Sequence, residues 1–302
     1  VVLLELLESD YDFYFVFQHD FFAYPLVAAG KNVVIVPMID GSSIYGMRHW
    51  LMLKGATMIC FSKDLFTFSR MLGFTSFYLS YWPKPLGAGN SAKKSQIYYW
   101  DRGQFSQWNL NRILLVLKNY KDFQIIVRRK IPLGTSFDGY NVVEIDRISR
   151  TEHIELIKHS SLYIAPRPAE GIGMAFLEAM GLGTAVAAYD YPTMSDYIIN
   201  QYNGFLVRSN QSIPNGFDLK LMGQRARTSA QDNYEANRDC LHKTLLKVLQ
   251  SRKILKSATK MSQVLNLLDL SVAMVRGDSL NGKGRSLHTF ILVNQALRKL
   301  ST

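Results

Sequence analysis

The chain has 302 residues, 48% of them hydrophobic and 20% charged, with a formal net charge of +11 at pH 7. That balance excludes a disordered or low-complexity chain, and the length suffices for two ordinary domains with separate cores. No apolar run approaches bilayer-spanning length, and Cys60 and Cys240 form no CxxC or paired pattern, which excludes a disulfide framework and favours a reducing, cytoplasmic setting.

The opening VVLLELLESDYD carries two glutamates and lacks a basic flank, so it reads as neither signal peptide nor anchor. DFYFVFQ (12–18), NVVIVPM (32–38) and ATMICFS (56–62) are strand-like, and the intervening stretches 45–53 and 64–72 have helical spacing. WPKPLGAGNSAKKS (82–95), rich in Pro, Gly, Ser and Lys, reads as a linker. The alternation then restarts: strand QIYYWD (96–101), a helix near 106–119, strands FQIIVRR and NVVEID, a helix near 151–159, strand SLYIAP, a helix near 173–181 and strand TAVAAY. Ser149 and Glu152 fit a capping box at the start of the 151–159 helix. From about 217 onward the pattern is helical, with later helices expected near 259–275 and 286–299. Repeated βα units with continuous apolar strands predict parallel sheets covered on both faces, hence two doubly wound domains, 1–84 and 85–302.

The stretch EGIGMAFLEAM places Glu170 and Glu178 around a Gly-x-Gly and an apolar run. It follows the strand 161–165 and opens a helix. Ligands of open parallel sheets sit outside the carboxyl ends of the strands, and a helix start offers unpaired N–H groups to phosphate. Gly171 and Gly173 permit close approach of a ligand. An ionised Glu178 among apolar neighbours needs hydroxyls or cations around it, which a ribose or sugar diol supplies. Glu170, before the helix, can meet a second polyol. A diphosphate between two hydroxyl-rich groups describes a nucleotide-sugar. A purely structural reading stands beside it, because an early glutamate suits the helix dipole and glycines also make plain turns.

A dinucleotide fingerprint, with Asp190 about twenty residues beyond Gly171, fits less well. Phe176 occupies the place of the third glycine, and five residues, two of them proline, separate the strand from Gly171. DYD (10–12) precedes its strand instead of following one, NGKGRS (281–286) lacks Walker spacing, and the histidines show no metal-ligand spacing. The basic charge comes with neither zinc-finger spacing nor an aromatic RNA-reading string, so no nucleic-acid partner is expected; an anionic membrane surface and a merely solvated basic face fit it equally.

From strand 161–165 through the two glutamates to the NG-apolar strand ending at 207, the sequence resembles family 4 retaining glycosyltransferases, the group 1 glycosyl transferases of GT-B fold. The likeness covers roughly 96–235 closely. Over 12–80 it rests on layout, including the strand–serine–helix–Gly unit KGATMICFSKDLFTFSRMLGF. The resemblance implies two Rossmann-like domains facing across a cleft, and a hexose moved from a nucleoside-diphosphate sugar to an acceptor hydroxyl with retention. No metal or other cofactor is implied. Glu178 would bind the ribose, Glu170 the donor hexose, and the amides around Gly171, Gly173 and Met174 the diphosphate. Arg102 would contact that diphosphate, and Ile148 would sit beside the base.

Two departures stand out. The lysine usual after the arginine is missing from RGQFSQWN, so Arg129 or Lys130 is expected to supply the second cation. The histidine of the first domain is expected at His19, with Asp20 beside it or capping the next helix. The first domain is also short for this fold, which reads as truncation. The expected acceptor is a glycan or lipid-linked glycan in surface polysaccharide or glycolipid assembly. A non-catalytic nucleotide-sugar or glycan-binding member, or another GT-B enzyme such as an epimerase, synthase or phosphorylase, is the alternative.

Overall fold

A computed structural model of the chain describes residues 2–87, 93–102, 105, 107–129, 137, 139–208 and 210–251. Lys130, the NGKGRS segment, His288 and the helices expected at 259–275 and 286–299 lie outside the described residues. Two compact units emerge: Val1–Ser80 together with the chain from Arg238 on, and Tyr81–Asn237.

In the first unit, helix α1 (Val2–Glu8) leads into strand β1 (Tyr14–Phe17), a 3-10 turn at Asp20–Phe22 and α2 (Ala23–Ala28). Then come β2 (Val33–Val36), α3 (Ile39–Ser42), α4 (Met47–Met52), β3 (Thr57–Cys60), α5 (Lys63–Met71) and β4 (Thr75–Tyr78). The four strands pair in parallel in chain order. The three apolar runs expected as strands are β1 to β3, each buried along almost its whole length, as a sheet covered on both faces demands. Tyr14, Val16, Val33, Ile35, Met58 and Cys60 form the core with Leu26, Trp50, Leu53 and Leu65 from the helices. β4 was not foreseen: TSFY begins exposed and ends half-buried, so no alternation marks it.

The second unit holds β5 (Lys94–Trp100), α6 (Leu110–Val116), β6 (Gln124–Arg128), β7 (Asn141–Ile145), α7 (Arg150–His159) and β8 (Ser160–Ile164). It continues with α8 (Met174–Gly181), β9 (Ala185–Tyr189), α9 (Met194–Tyr197), β10 (Phe205–Val207) and the first part of α10 (Leu219–Ser251). All six strands are parallel, in the order β10-β9-β8-β5-β6-β7. The chain runs outward from β5 through β6 to β7, then returns to the other side of β5 with β8. The topological switch therefore lies between β5 and β8, and their carboxyl ends frame the crevice where ligands of such sheets bind.

Alternation within these strands sorts the two faces. Ile97, Tyr99, Ile125, Val127, Leu162 and Ile164 turn toward a core completed by Leu110, Ile113 and Leu117. Tyr98, Ile126 and Tyr163 alternate with them and turn to the other face, where α7 packs on β5 and β8. The expected linker is partly packed. Trp82 is buried with its ring 5.0 Å from Tyr197, and Lys93 Nζ donates to Thr184 Oγ1 at 2.7 Å. Burial there lowers the Lys93 pKa to about 8.

Candidate functional site

The site builds up from the loop between β8 and α8. Met, Ala, Phe and Leu are good or acceptable helix formers, and α8 needs only a start and a stop. The stop is Gly183, left-handed at φ +75, with Thr184 N–H donating to Ala179 O at 3.0 Å and Gly183 N–H to Met180 O at 2.9 Å. The start is Gly173, left-handed at φ +82; a Cβ there would stand 1.9 Å from Cε1 of the fully buried Phe176. Both the backbone and the space thus require glycine, and the ring in the third-glycine place is what fills that space.

This geometry aims the amides of the first helical turn, Met174 among them, out of the helix start, with the buried Gly171 just ahead. Glu178 is 9% exposed, and its Oε1 accepts from Arg150 Nη2 at 3.0 Å. Glu170, its side chain 13% exposed, receives Arg167 Nη1 at 3.4 Å. Neither carboxylate points into bulk water.

Across the switch, Arg102 follows the end of β5 with its guanidinium carbon 4.1 Å from the ring of Trp100. Arg128, at the end of β6, lies directly opposite Trp100 in the strand register and places its own guanidinium 4.3 Å from that ring. Partial desolvation lowers the Arg102 pKa, the Glu170 charge opposes that, and Arg167 and Arg128 lower it further. Glu170 and three arginines therefore share one electrostatic neighbourhood at the carboxyl ends of β5, β6 and β8. Beneath them the Tyr163 hydroxyl is fully buried and has no hydrogen-bond partner among the described residues. Burial drives its pKa well up, and Arg102, Glu170 and Glu178 all act on it. His153, buried on α7, meets the Tyr98 hydroxyl through Nδ1 at 2.8 Å. Burial and then Arg128, Arg150 and Arg102 push its pKa down to about 4, so it is neutral at physiological pH.

The structure brings Glu170, Glu178, Gly171, Gly173, Met174 and Arg102 to one end of one sheet. Ile148 lies half-buried beside Ser149, whose expected capping box with Glu152 is formed: Ser149 N–H donates to Glu152 Oε2 at 2.7 Å and Glu152 N–H to Ser149 Oγ at 3.2 Å. Arg129 donates from Nη1 to the buried Asp101 Oδ2 at 2.8 Å. Asp190, the acid of the dinucleotide reading, pairs with Arg208 Nε at 3.1 Å.

His19 belongs to the first unit, half-buried after β1 and edge-on to Phe21 and Phe22. Its neighbour Asp20 is 2% exposed and accepts from Ser42 Oγ at 2.5 Å. His49 Nε2 stands 3.3 Å from Asp20 Oδ2, within ion-pair range but misaligned for a hydrogen bond, and His49 Nδ1 meets the Tyr24 hydroxyl. Desolvation raises the Asp20 pKa and lowers that of His49.

Sequence reading missed Arg128, Arg150, Arg167, Trp100 and Tyr163. For the pair Trp100 and Arg128 a signal existed: period-two alternation puts Tyr98 and Trp100 on one face, and only the cross-strand register adds Arg128 to it.

Solved structures with this arrangement of parallel sheets define the fold as GT-B, that of a class of glycosyltransferases. TarM, an S. aureus protein, superposes with a TM-score of 0.61 at 16% identity, over 82% of this chain and 57% of that one. HepE of Anabaena, in complex with UDP and glucose, gives 0.55 at 14%, over 83% and 80%. Sucrose-phosphate synthase from Thermosynechococcus elongatus gives 0.56 at 11%, over 82% and 76%. At such identities the likeness is one of fold, and the chain spans little more than half the length of TarM. In sequence, residues 139–233 match the family model "Glycosyl transferases group 1", a segment that contains Glu170 and the whole of α8 with Glu178. Among curated proteins none matches the chain.

Proposed function

We propose that this protein is a retaining glycosyltransferase that moves a hexose from a nucleoside-diphosphate sugar to the hydroxyl of a glycan or lipid-linked acceptor. The observation that carries the reading is the pair of shielded carboxylates at the β5/β8 switch, Glu170 just before and Glu178 within a glycine-started helix, with the Tyr163 hydroxyl buried near them. Glu178 takes the ribose hydroxyls, with Arg150 fixing its orientation. Glu170 takes the sugar hydroxyls. The amides of Gly171, Gly173 and Met174, together with Arg102, take the diphosphate, and Ile148 lies toward the base. The match of 139–233 to a glycosyl transferase family and the UDP seen in HepE support the class of donor.

In this reaction the bond from the anomeric carbon to the diphosphate breaks, its electron pair leaves with the phosphate oxygen, and the acceptor oxygen bonds to the carbon from the same face. The acceptor proton passes to the departing diphosphate, so no separate base is assigned. Fixed positive charge at the place where negative charge grows is the main catalytic task. Arg102 and the start of α8 supply it in this reading, without a metal. No described helix is long and apolar enough to cross a membrane. The charge of +11 suits an acceptor held at an anionic surface, as surface polysaccharide or glycolipid assembly on the cytoplasmic side would require.

A thermal-shift panel of UDP-, GDP-, ADP- and dTDP-hexoses tests the reading. One donor is expected to raise the melting temperature, and Glu178→Ala to abolish the rise. Equal shifts in wild type and variant would remove Glu178 from the site. No shift with any donor would remove the donor class itself.

A further inference from the structure

The cations around the switch divide into two kinds. Arg129 is engaged by Asp101, Arg150 by Glu178 and Arg167 by Glu170. Arg102 and Arg128 instead lean on the same Trp100 side chain, and among the described residues neither forms an ion pair. Two guanidinium groups on one indole repel each other, and the Glu170 charge relieves part of that repulsion at Arg102. The ring offsets part of that repulsion by cation–π attraction and holds both planes in place. Arg128 also acts on the Tyr98 hydroxyl as a cation and donor, lowering the pKa that burial raises. Arg128 is half-buried, so its charge is less screened than that of a surface arginine. A braced cation pair at the carboxyl ends of adjacent strands fits an anion with more than one charged group.

We infer that Arg128, which shares the Trp100 ring with Arg102, is a second cation for the leaving diphosphate, and that Trp100 is the positioning residue that holds both guanidiniums. The inference rests on the donor-site reading above and adds to it the group that meets the outer phosphate. As the anomeric bond breaks, the electron pair and its charge collect on the diphosphate, so the pair acts more strongly on the departing group than on the intact donor. Loss of Arg128 therefore lowers kcat more than it raises KM.

The test uses the full chain and calorimetric binding of UDP, GDP, ADP, CDP and dTDP, followed by the monophosphate of whichever binds best. Arg128→Gln is expected to weaken the diphosphate by about ten- to a hundredfold, the size of a lost charge-assisted hydrogen bond. The monophosphate should change by no more than about threefold, because its single phosphate is held by Arg102 and the helix start. Arg128→Lys keeps the charge without the fork and should fall between. Trp100→Leu should lose affinity as Arg128→Gln does, Trp100→Phe should restore most of it, and Trp100→Leu added to Arg128→Gln should cost less than the two separately. Circular dichroism melting of each variant separates loss of site from loss of fold.

Diphosphate affinity within twofold of wild type in a folded Arg128→Gln chain overturns the inference. So does an equal loss of mono- and diphosphate, or a diphosphate-selective loss found in Arg129→Gln instead. If the wild-type chain binds none of the five diphosphates, the donor-site reading falls first and takes the inference with it.

Discussion

Gly173→Ala tests the start of α8 where fold and site coincide. Two costs add. A non-glycine residue at φ +82 pays about 1–2 kcal/mol for the left-handed conformation. Its Cβ would also meet Phe176 Cε1 at 1.9 Å, Cζ at 2.6 Å and Cδ1 at 2.8 Å. Phe176 is fully buried and cannot swing into solvent, so the overlap is relieved only by repacking, at about 1–3 kcal/mol. The sum, about 2–5 kcal/mol, is a large share of the roughly 5–15 kcal/mol that holds a domain together. It corresponds to a fall of about 5–15 °C in melting temperature for a unit of this size. Urea denaturation of wild type, Gly173→Ala, Phe176→Leu and the double variant separates the two costs. Phe176→Leu removes the ring atoms in the way, so the double variant should be less destabilised than the two singles together by about 1 kcal/mol or more. Strict additivity would refute the steric argument and leave only the backbone.

Three further outcomes follow from local geometry. Ser149→Ala should cost about 1 kcal/mol by urea denaturation, because the α7 capping box loses its acceptor; the partner Glu152 is held below the usual carboxylate range by the Ser149 amide, so its share fades as pH falls through that lowered pKa. His153 is held neutral, its pKa depressed from 6.5 to about 4, so the unfolded chain takes up its proton first; stability should fall as pH drops from 6.5 to about 4, by about 3 kcal/mol in all, and His153→Gln should flatten urea midpoints across that window. The Cys60 thiol is buried and its pKa raised to about 12, whereas Cys240 is half-exposed, so a thiol reagent should label Cys240 in the native chain and Cys60 only on unfolding; equal rates would contradict the packing of β3.

What could be read ahead of the structure was what lies close along the chain. The spacing of Glu170 and Glu178, the capping pair Ser149 and Glu152, and the buried strands β1, β2, β3, β5, β6, β8 and β9 depend on neighbours within a few residues. Their boundaries fell within about three residues of the observed ones. What could not be read was non-local. Trp100 and Arg128 meet only because β5 and β6 pair in one register, and Arg150 reaches Glu178 from a helix 28 residues away. Short helices such as α2, α3 and α9, of four to six residues, carry too little periodicity to announce themselves. Trp82 and Lys93 sit in a segment whose composition signals a tether, yet tertiary contacts hold both.

The order of strands in the second sheet also bears on how that sheet is made. Its first strand in sequence, β5, is an inner one, and its earliest partners, β6 and β7, occupy a single flank. A nascent chain that ends before Ser160 can assemble that flank and still contain only one wall of the crevice. The other wall arrives with β8, together with Tyr163 and the loop that bears Glu170. On the donor-site reading proposed above, half-made sheets are thus unable to engage nucleotide, and ligand capture reports completion of the sheet's centre.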